Sequence, residues 1–142
     1  MLASVNYLST LIAAVAAWLF SALYYGVLGK PWVEAQGKTM EQFKQEHAAK
    51  IGKLSAQVPF ILAFVAELVM AWVLYGILVH LKTFSIRAGL ISAAFVWLGF
   101  VLTTIAVNNA FSGRKWTLTA IDSGAWLGAL LIMGLIIGWM GQ

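Results

Sequence analysis

The sequence predicts an all-α, polytopic membrane protein: a four-transmembrane-helix bundle with a cytoplasmic amphipathic connector helix. Hydrophobic residues make up 62% of the 142-residue chain and charged residues 10%, whereas soluble domains contain about 45–50% apolar and about 25% charged residues. Four segments also have the length of roughly 20 apolar residues that a helix needs to cross a bilayer. Within one integral membrane domain, residues 1–142, the four segments are residues 6–28, 58–80, 88–111 and 117–140.

The first apolar segment, residues 6–28, resembles a signal peptide only in its position. No Lys or Arg precedes it, although a signal peptide begins with a positively charged region. Its apolar run is also longer than the core of a signal peptide, which has about 7–15 residues. We therefore expect this segment to be retained as the first transmembrane helix.

The first linker, residues 29–57, contains the predicted connector helix at residues 39–54. Thr39, with Gln42 three residues later, has the pattern of a capping box that begins a helix. One face of this helix would carry Met40, Phe43, His47, Ile51 and Leu54. Two interpretations stay open: a helix that lies on anionic lipid or docks a partner, and a solvated connector that packs on the bundle.

The distribution of basic residues predicts the orientation of the chain in the membrane. Short linkers at residues 81–87 and 112–116 make the last three helices antiparallel neighbours. The linkers at residues 29–57 and 112–116 then share one side and hold seven Lys or Arg residues, against two on the other side. The positive-inside rule places these two linkers in the cytoplasm and both termini outside.

The residue inventory disfavours an enzyme. The chain has no cysteine and two histidines, His47 and His80, and the second apolar segment separates them by about 30 Å of hydrocarbon. One subunit therefore cannot use both to hold a metal or a haem, and no phosphate-binding glycine loop is present. We expect no cofactor and no metal site. The net charge of +4 is explained by membrane orientation and anionic lipid, so no nucleic-acid partner is expected.

Small residues recur every four positions along the first and fourth segments. The stripes are Ala13, Ala17 and Ser21 in the first segment, and Ala120, Gly124 and Gly128 in the fourth, followed by Gly134 and Gly138. Such stripes allow two helices to approach closely in lipid. Packing within one subunit and packing between subunits both stay open.

Two carboxylates interrupt the apolar segments, Glu67 in the second and Asp122 in the fourth. At about 1.5 Å of rise per residue, they lie about 12 Å and about 8 Å from the same end of the bundle. Five more candidates lie in or beside this polar layer: Ser21, Tyr25, Thr104, Asn108 and Arg114. Ionisable residues in a membrane face the interior, find a partner, and mark functional sites. A support that fixes helix packing and a site that binds a ligand or proton both stay open.

Two blocks of sequence carry a family resemblance. The first is "NYLSTLIAAVAAWLFSALYYGVLGKPW", and the more specific one is "WLGFVLTTIAVNNAFSGRKWTLTAIDSG". They resemble the small four-helix, mostly bacterial membrane family called domain of unknown function 1761. The resemblance implies a four-helix integral membrane protein and implies no reaction. We expect a multi-pass protein of the bacterial inner membrane. It directs attention to the hairpin of the third and fourth helices, where Asn108, Arg114 and Asp122 are the candidate residues of a shared site. Arg114 either pairs with Asp122 or extends to lipid phosphates.

The leading functional hypothesis is a protein that binds or carries a small molecule, a lipid or a proton through the polar layer. Four short helices enclose little volume, so transport would need an oligomer. The alternative hypothesis is an accessory subunit that stabilises a larger membrane complex. A membrane enzyme acting on lipid is disfavoured by the residue inventory. The expected partners are the lipid bilayer and either a second copy of the chain or a membrane-complex partner.

Overall fold

The computed structural model describes residues 5–142, and all regular secondary structure in that part of the chain is helical. The elements are α1 (Tyr7–Val27), α2 (Gly29–Ala35), α3 (Met40–Ala48), α4 (Leu54–His80), α5 (Ile86–Val96), a π-helical segment (Trp97–Leu102), α6 (Thr103–Phe111) and α7 (Trp116–Met140). Four helices are long and apolar enough to cross a membrane: α1, α4, the continuous helix Ile86–Phe111, and α7. The predicted all-α bundle of four membrane spans is confirmed.

Helix α7 lies at the centre of the bundle, because it packs against α1, α4 and α5. Its side chains Leu130, Met133 and Ile137 are almost completely buried. The closest approach is to α5, where a Cβ atom built on Gly89 would collide with the backbone of Gly134, and the reverse also holds. The two backbones therefore pack together only because both positions are glycine.

The glycines of the small-residue stripes of α7 pack against other helices of the same chain, whereas Ala120 is exposed. Gly124 lies against the Tyr24 hydroxyl and Gly128 lies against the Phe20 ring, both on α1. Ala13 and Ala17 on α1 are fully buried. The described part of the chain thus uses these stripes for its own folding.

The start of α1 and the end of α7 lie at one end of the bundle, called here the terminal end, and the linkers at residues 29–57 and 112–116 form the opposite, basic end. At the terminal end, Asn6 links the start of α1 to the end of α7. Its Oδ1 accepts a hydrogen bond from the backbone N–H of Ser9 and caps α1, while its Nδ2 donates to the carbonyl of Met140 over 2.8 Å. The Tyr75 hydroxyl donates to the carbonyl of Gly141 over 3.1 Å. The start of α1 and the end of α7 are therefore held together.

The first linker forms a shorter connector helix than the sequence predicts. The capping box of Thr39 and Gln42 is present. However, α3 ends at Ala48 rather than at residue 54, because Gly52 adopts a left-handed φ of +79° that interrupts the helix. Beyond that break, α4 begins at Leu54, four residues before the predicted start at residue 58.

Helix α3 contacts the rest of the chain through its aromatic face. Phe43 makes an edge-to-face contact with Trp32 of α2, with ring centroids 5.9 Å apart, and stacks on His47. None of the residues of α3 is buried. Its exposed side forms the ion pair between Lys38 Nζ and Glu46 Oε2 at 2.7 Å. The helix thus contacts the bundle at Trp32 and has no buried residue, which suits both a solvated connector and a helix that lies on lipid or docks a partner.

The third span has two differently packed halves. Its first half, α5, packs closely on α7, whereas α6 beyond the π-helical segment has no buried residue. Consequently 11% of the most apolar 18-residue stretch of this span is buried, against 39% for α7. The half of the third span nearer to the basic end therefore lies largely exposed on the surface of the bundle.

Candidate functional site

Glu67 and Ser21 form a hydrogen-bonded pair between α4 and α1. The Ser21 hydroxyl donates to Glu67 Oε1 over 2.7 Å. Because α4 begins at Leu54, Glu67 lies at the midpoint of this 27-residue helix, deeper than its predicted position. The side chain is 1% exposed. Its second oxygen, Oε2, is buried and has no hydrogen-bond partner among residues 5–142.

Burial of the Glu67 Oε2 atom without a hydrogen-bond partner is energetically unfavourable. A buried polar atom without a partner costs about 1–3 kcal/mol, and more when the group is charged. A buried carboxylate also needs a counter-charge. The ion pair that the described residues form, Lys38–Glu46, is on the surface of the connector. The geometry therefore suits a carboxyl group that carries a proton or pairs with a cation from outside the chain.

Asp122 forms a second, separate cluster nearer to the basic end, in the second turn of α7. Its Oδ1 accepts one hydrogen bond from the Tyr25 hydroxyl at 2.7 Å and another from the Trp32 indole N–H at 3.1 Å. The Tyr25 and Trp32 rings also contact each other edge to face, with centroids 5.5 Å apart. The neighbouring Tyr24 hydroxyl donates to the carbonyl of Ile121 over 2.8 Å. This cluster joins α1, α2 and α7.

The hairpin of α6 and α7 has its own polar contacts. Asn109 Nδ2 donates to Thr119 Oγ1 over 3.0 Å. At the start of the π-helical segment, the indole N–H of Trp97 donates to the carbonyl of Ser123 over 2.7 Å. These bonds hold the exposed half of the third span against α7.

Thr104, Asn108 and Arg114 lie apart from both carboxylate clusters. All three are exposed, on α6 or in the loop that follows it. The Thr104 hydroxyl donates to the carbonyl of Phe100 within its own helix. Arg114 is not paired with Asp122 in the described chain. The structure therefore brings together Ser21 with Glu67, and Tyr25 with Asp122, and it leaves the other three candidates outside these contacts.

Sequence reasoning does not assign Trp32 or Trp97 to a polar contact. An indole N–H in an apolar surrounding needs an acceptor, so each tryptophan predicts that a hydrogen-bond acceptor lies near it. Their acceptors lie 90 and 26 residues away along the chain. Residue spacing within one helix cannot identify a partner at that separation.

An apolar groove runs along the outer face of α1 and α4. It has a volume of about 590 Å³ and is lined by Val15, Trp18, Gln57, Phe60, Ile61 and Phe64. The Trp18 indole N–H donates to the carbonyl of Phe60 over 3.1 Å, and the Trp18 and Phe64 rings meet edge to face with centroids 5.9 Å apart. Three aromatic rings thus form much of the wall.

The described residues contain no cluster of three or more His, Cys, Asp or Glu side chains that could hold a metal ion. The two membrane carboxylates belong to different clusters, and no hydrogen bond joins them. The arrangement therefore offers acid–base and hydrogen-bonding chemistry at isolated single groups.

The chain matches a known protein family. A family model described as "Protein of unknown function (DUF1761)" matches residues 8–138 and confirms the family resemblance. No curated protein and no solved structure matches the chain.

Proposed function

We propose, from the premise that the chain belongs to the DUF1761 family, that it is an integral membrane protein that binds and releases a proton at Glu67. The observation that carries the proposal is the buried Oε2 atom without a hydrogen-bond partner in the described chain. A proton is the smallest species that removes the charge from this carboxyl group. It also needs no cavity beside the group.

Asp122 has a supporting role in this proposal. Its Oδ1 is already occupied by two donors, Tyr25 and Trp32, so a ligand would have to compete with both. The cluster fixes the position of α1 and α2 relative to α7. Glu67, held by the single donor Ser21, is the carboxylate whose bonding is incomplete.

Membrane placement follows the charge distribution. We propose that the protein spans the bacterial inner membrane with its basic end in the cytoplasm, since seven of the nine basic residues belong to that end. Glu67 then lies near the middle of the bilayer. A carboxyl group at that depth is unfavourable unless it serves a purpose or finds a partner.

Labelling with dicyclohexylcarbodiimide tests the proposal. The O–H of a protonated carboxyl group adds across a C=N bond of this apolar reagent. The product rearranges to a stable N-acylurea, whose added mass identifies the labelled residue. We expect the purified full chain in lipid nanodiscs to be labelled at Glu67, and labelling to fall as the pH is raised. Labelling of Glu67 is compared with labelling of Glu34, an exposed carboxyl group of the same chain. The Glu67→Gln variant is the negative control.

Two outcomes would refute proton exchange. The first is absence of label on Glu67 while the protein is folded. The second is labelling of Glu67 that does not exceed that of Glu34, because this would show no preference for the buried group.

A second candidate function is an accessory subunit, and the exposure of the third span favours it. Asn108 presents an amide on the exposed surface of α6, the half of that span with no buried residue. A partner helix could cover this face and accept a hydrogen bond from the amide. Extraction from native membranes in a mild detergent should then recover a partner at fixed stoichiometry. Recovery of a homogeneous assembly of this chain alone would contradict the accessory role.

A further inference from the structure

We propose that the loop between α6 and α7, residues 112–115, binds the phosphate headgroup of an anionic phospholipid through Arg114 and Lys115. The site is independent of the proton site at Glu67. It also does not depend on which side of the membrane the basic end faces. It requires only that the two helices beside the loop cross a bilayer, and both are long and apolar enough to do so.

The loop lies at the level where a bilayer ends. Phe111 is the last residue of α6 and Trp116 is the first residue of α7, so the loop joins two membrane spans directly. Phe111 is 92% exposed and Trp116 is 71% exposed. Tryptophan is enriched at the boundary between hydrocarbon and headgroups, and an exposed phenylalanine ring is more favourable against hydrocarbon than in water. The two rings therefore place the loop among the headgroups.

The backbone holds the loop in a defined turn. Gly113 adopts a left-handed φ of +64°, which glycine tolerates without steric strain. The backbone N–H of Arg114 then donates to the carbonyl of Asn109 over 2.8 Å and closes the end of α6. The side chain of Asn109 also bonds to Thr119 of α7. The two basic side chains therefore extend from a turn that is fixed to both helices.

Arg114 and Lys115 have no counter-charge within residues 5–142. Both are exposed, and neither forms an ion pair there. The sequence has no Asp or Glu between Glu67 and Asp122, and Asp122 is bonded to two other donors. Lys115 Nζ has one long contact, 3.5 Å from the backbone carbonyl of Glu34, and that carbonyl carries no formal charge. The two cations are therefore available to an anion from outside the chain.

The surroundings of the two cations favour an anionic phospholipid over other anions. A guanidinium and an ammonium group form strong, charge-assisted hydrogen bonds with phosphate oxygens. Long basic side chains near the end of a span also reach the headgroups while their stems lie on apolar surface. A dissolved phosphate would bind the cations but would leave Phe111 and Trp116 in water. A zwitterionic lipid would bring a positive choline group close to the two basic residues.

The competing explanation is that Arg114 and Lys115 only orient the chain during membrane insertion. That role requires positive charge beside a span, and it requires no selective contact with lipid in the folded protein. Orientation has no meaning in a detergent micelle. Lipid selectivity measured on the purified protein therefore separates the two explanations.

Native mass spectrometry of the detergent-solubilised full chain tests the site. We expect the wild type to bind its first phosphatidylglycerol molecule in preference to phosphatidylcholine. The double variant Arg114→Gln/Lys115→Gln should bind that molecule about tenfold more weakly, because each basic residue near a headgroup adds to the affinity. The double variant Lys82→Gln/Arg87→Gln removes the same charge from exposed positions beside α5 and is the matched control. It should bind like the wild type.

A second measurement uses the wild type alone and does not depend on a variant that folds. Phosphatidylglycerol with a photoreactive diazirine in its headgroup should crosslink to the peptide that contains residues 111–117. Unlabelled phosphatidylglycerol should suppress the crosslink, and glycerol phosphate should not. Equal lipid binding by the two double variants, or crosslinks that avoid residues 111–117, would overturn the headgroup site. Suppression by glycerol phosphate would also overturn it, since the loop would then bind a dissolved phosphate.

Discussion

Removing the two donors of Asp122 one at a time tests whether that cluster holds the bundle together. Tyr25→Phe keeps the ring and its edge contacts but deletes the 2.7 Å hydrogen bond, and Trp32→Phe deletes the 3.1 Å bond. Side-chain hydrogen bonds in membrane proteins average about 0.6 kcal/mol and reach about 1.7 kcal/mol. Bonds to charged groups are stronger. We expect Tyr25→Phe to lower the free energy of unfolding by about 1 kcal/mol, and Trp32→Phe by about 0.6 kcal/mol because its bond is longer.

The double variant gives the sharper result. Both donors bind the same oxygen, so either single variant leaves one donor in place, whereas the double variant leaves Oδ1 without either. An unsatisfied acceptor costs about 1–3 kcal/mol, so the double variant should lose more than the sum of the single variants. The assay is reversible unfolding in mixed micelles with increasing dodecyl sulfate, followed by circular dichroism. Trp139→Phe, at a tryptophan that is 69% exposed, is the control. Single variants indistinguishable from that control, or strictly additive losses, would contradict a stabilising role for two donors that share one acceptor.

Two other predictions concern packing and topology. Gly134→Ala should lower the free energy of unfolding by about 1–3 kcal/mol, because the new methyl group would collide with the backbone of Gly89. Gly76→Ala is the control and should not lower it, since open space surrounds that position. Equal melting temperatures of the two variants would contradict the close packing of Gly134 on Gly89. Because the chain has no cysteine, Lys50→Cys and Leu81→Cys can each be labelled singly in sealed vesicles with an impermeant maleimide. The first should react only from the cytoplasmic side and the second only from the other, and reaction of both from one side would contradict the orientation.

The membrane fold could be predicted because its main determinants are local in sequence. The length of each apolar segment is read directly from the sequence, and the capping box of Thr39 and Gln42 depends on residues three positions apart. The end of α3 at Ala48 was harder to predict from the sequence. A glycine at position 52 weakens a helix, but its presence alone does not show that the helix ends four residues earlier, at Ala48.

The polar contacts were harder to predict, because residue counting gives depth along a helix and not the direction of a side chain around it. Depth counting placed Ser21 and Tyr25 in one layer with Glu67 and Asp122, without assigning pairs, and the structure bonds Ser21 to Glu67 and Tyr25 to Asp122. It also placed Thr104 and Asn108 in the layer, where the structure turns them outward.

The departure of α6 from the layer has a physical origin in the helix geometry. The π-helical segment Trp97–Leu102 lies between α5 and α6 and changes the angular position of every residue after it. The sequence carries no simple signal for this change. The role of Trp32 was hidden for a different reason, since its acceptor is brought close only when α2 packs on α7.

Infrared spectroscopy detects whether Glu67 binds and releases a proton inside the membrane. A protonated carboxylic acid has a C=O stretching band that a carboxylate lacks. We expect such a band in the wild type, decreasing reversibly as the pH is raised, retained in Asp122→Asn and absent in Glu67→Gln. A band that is unchanged in Glu67→Gln, or a wild-type spectrum that does not vary with pH while the protein stays folded, would contradict proton exchange at Glu67.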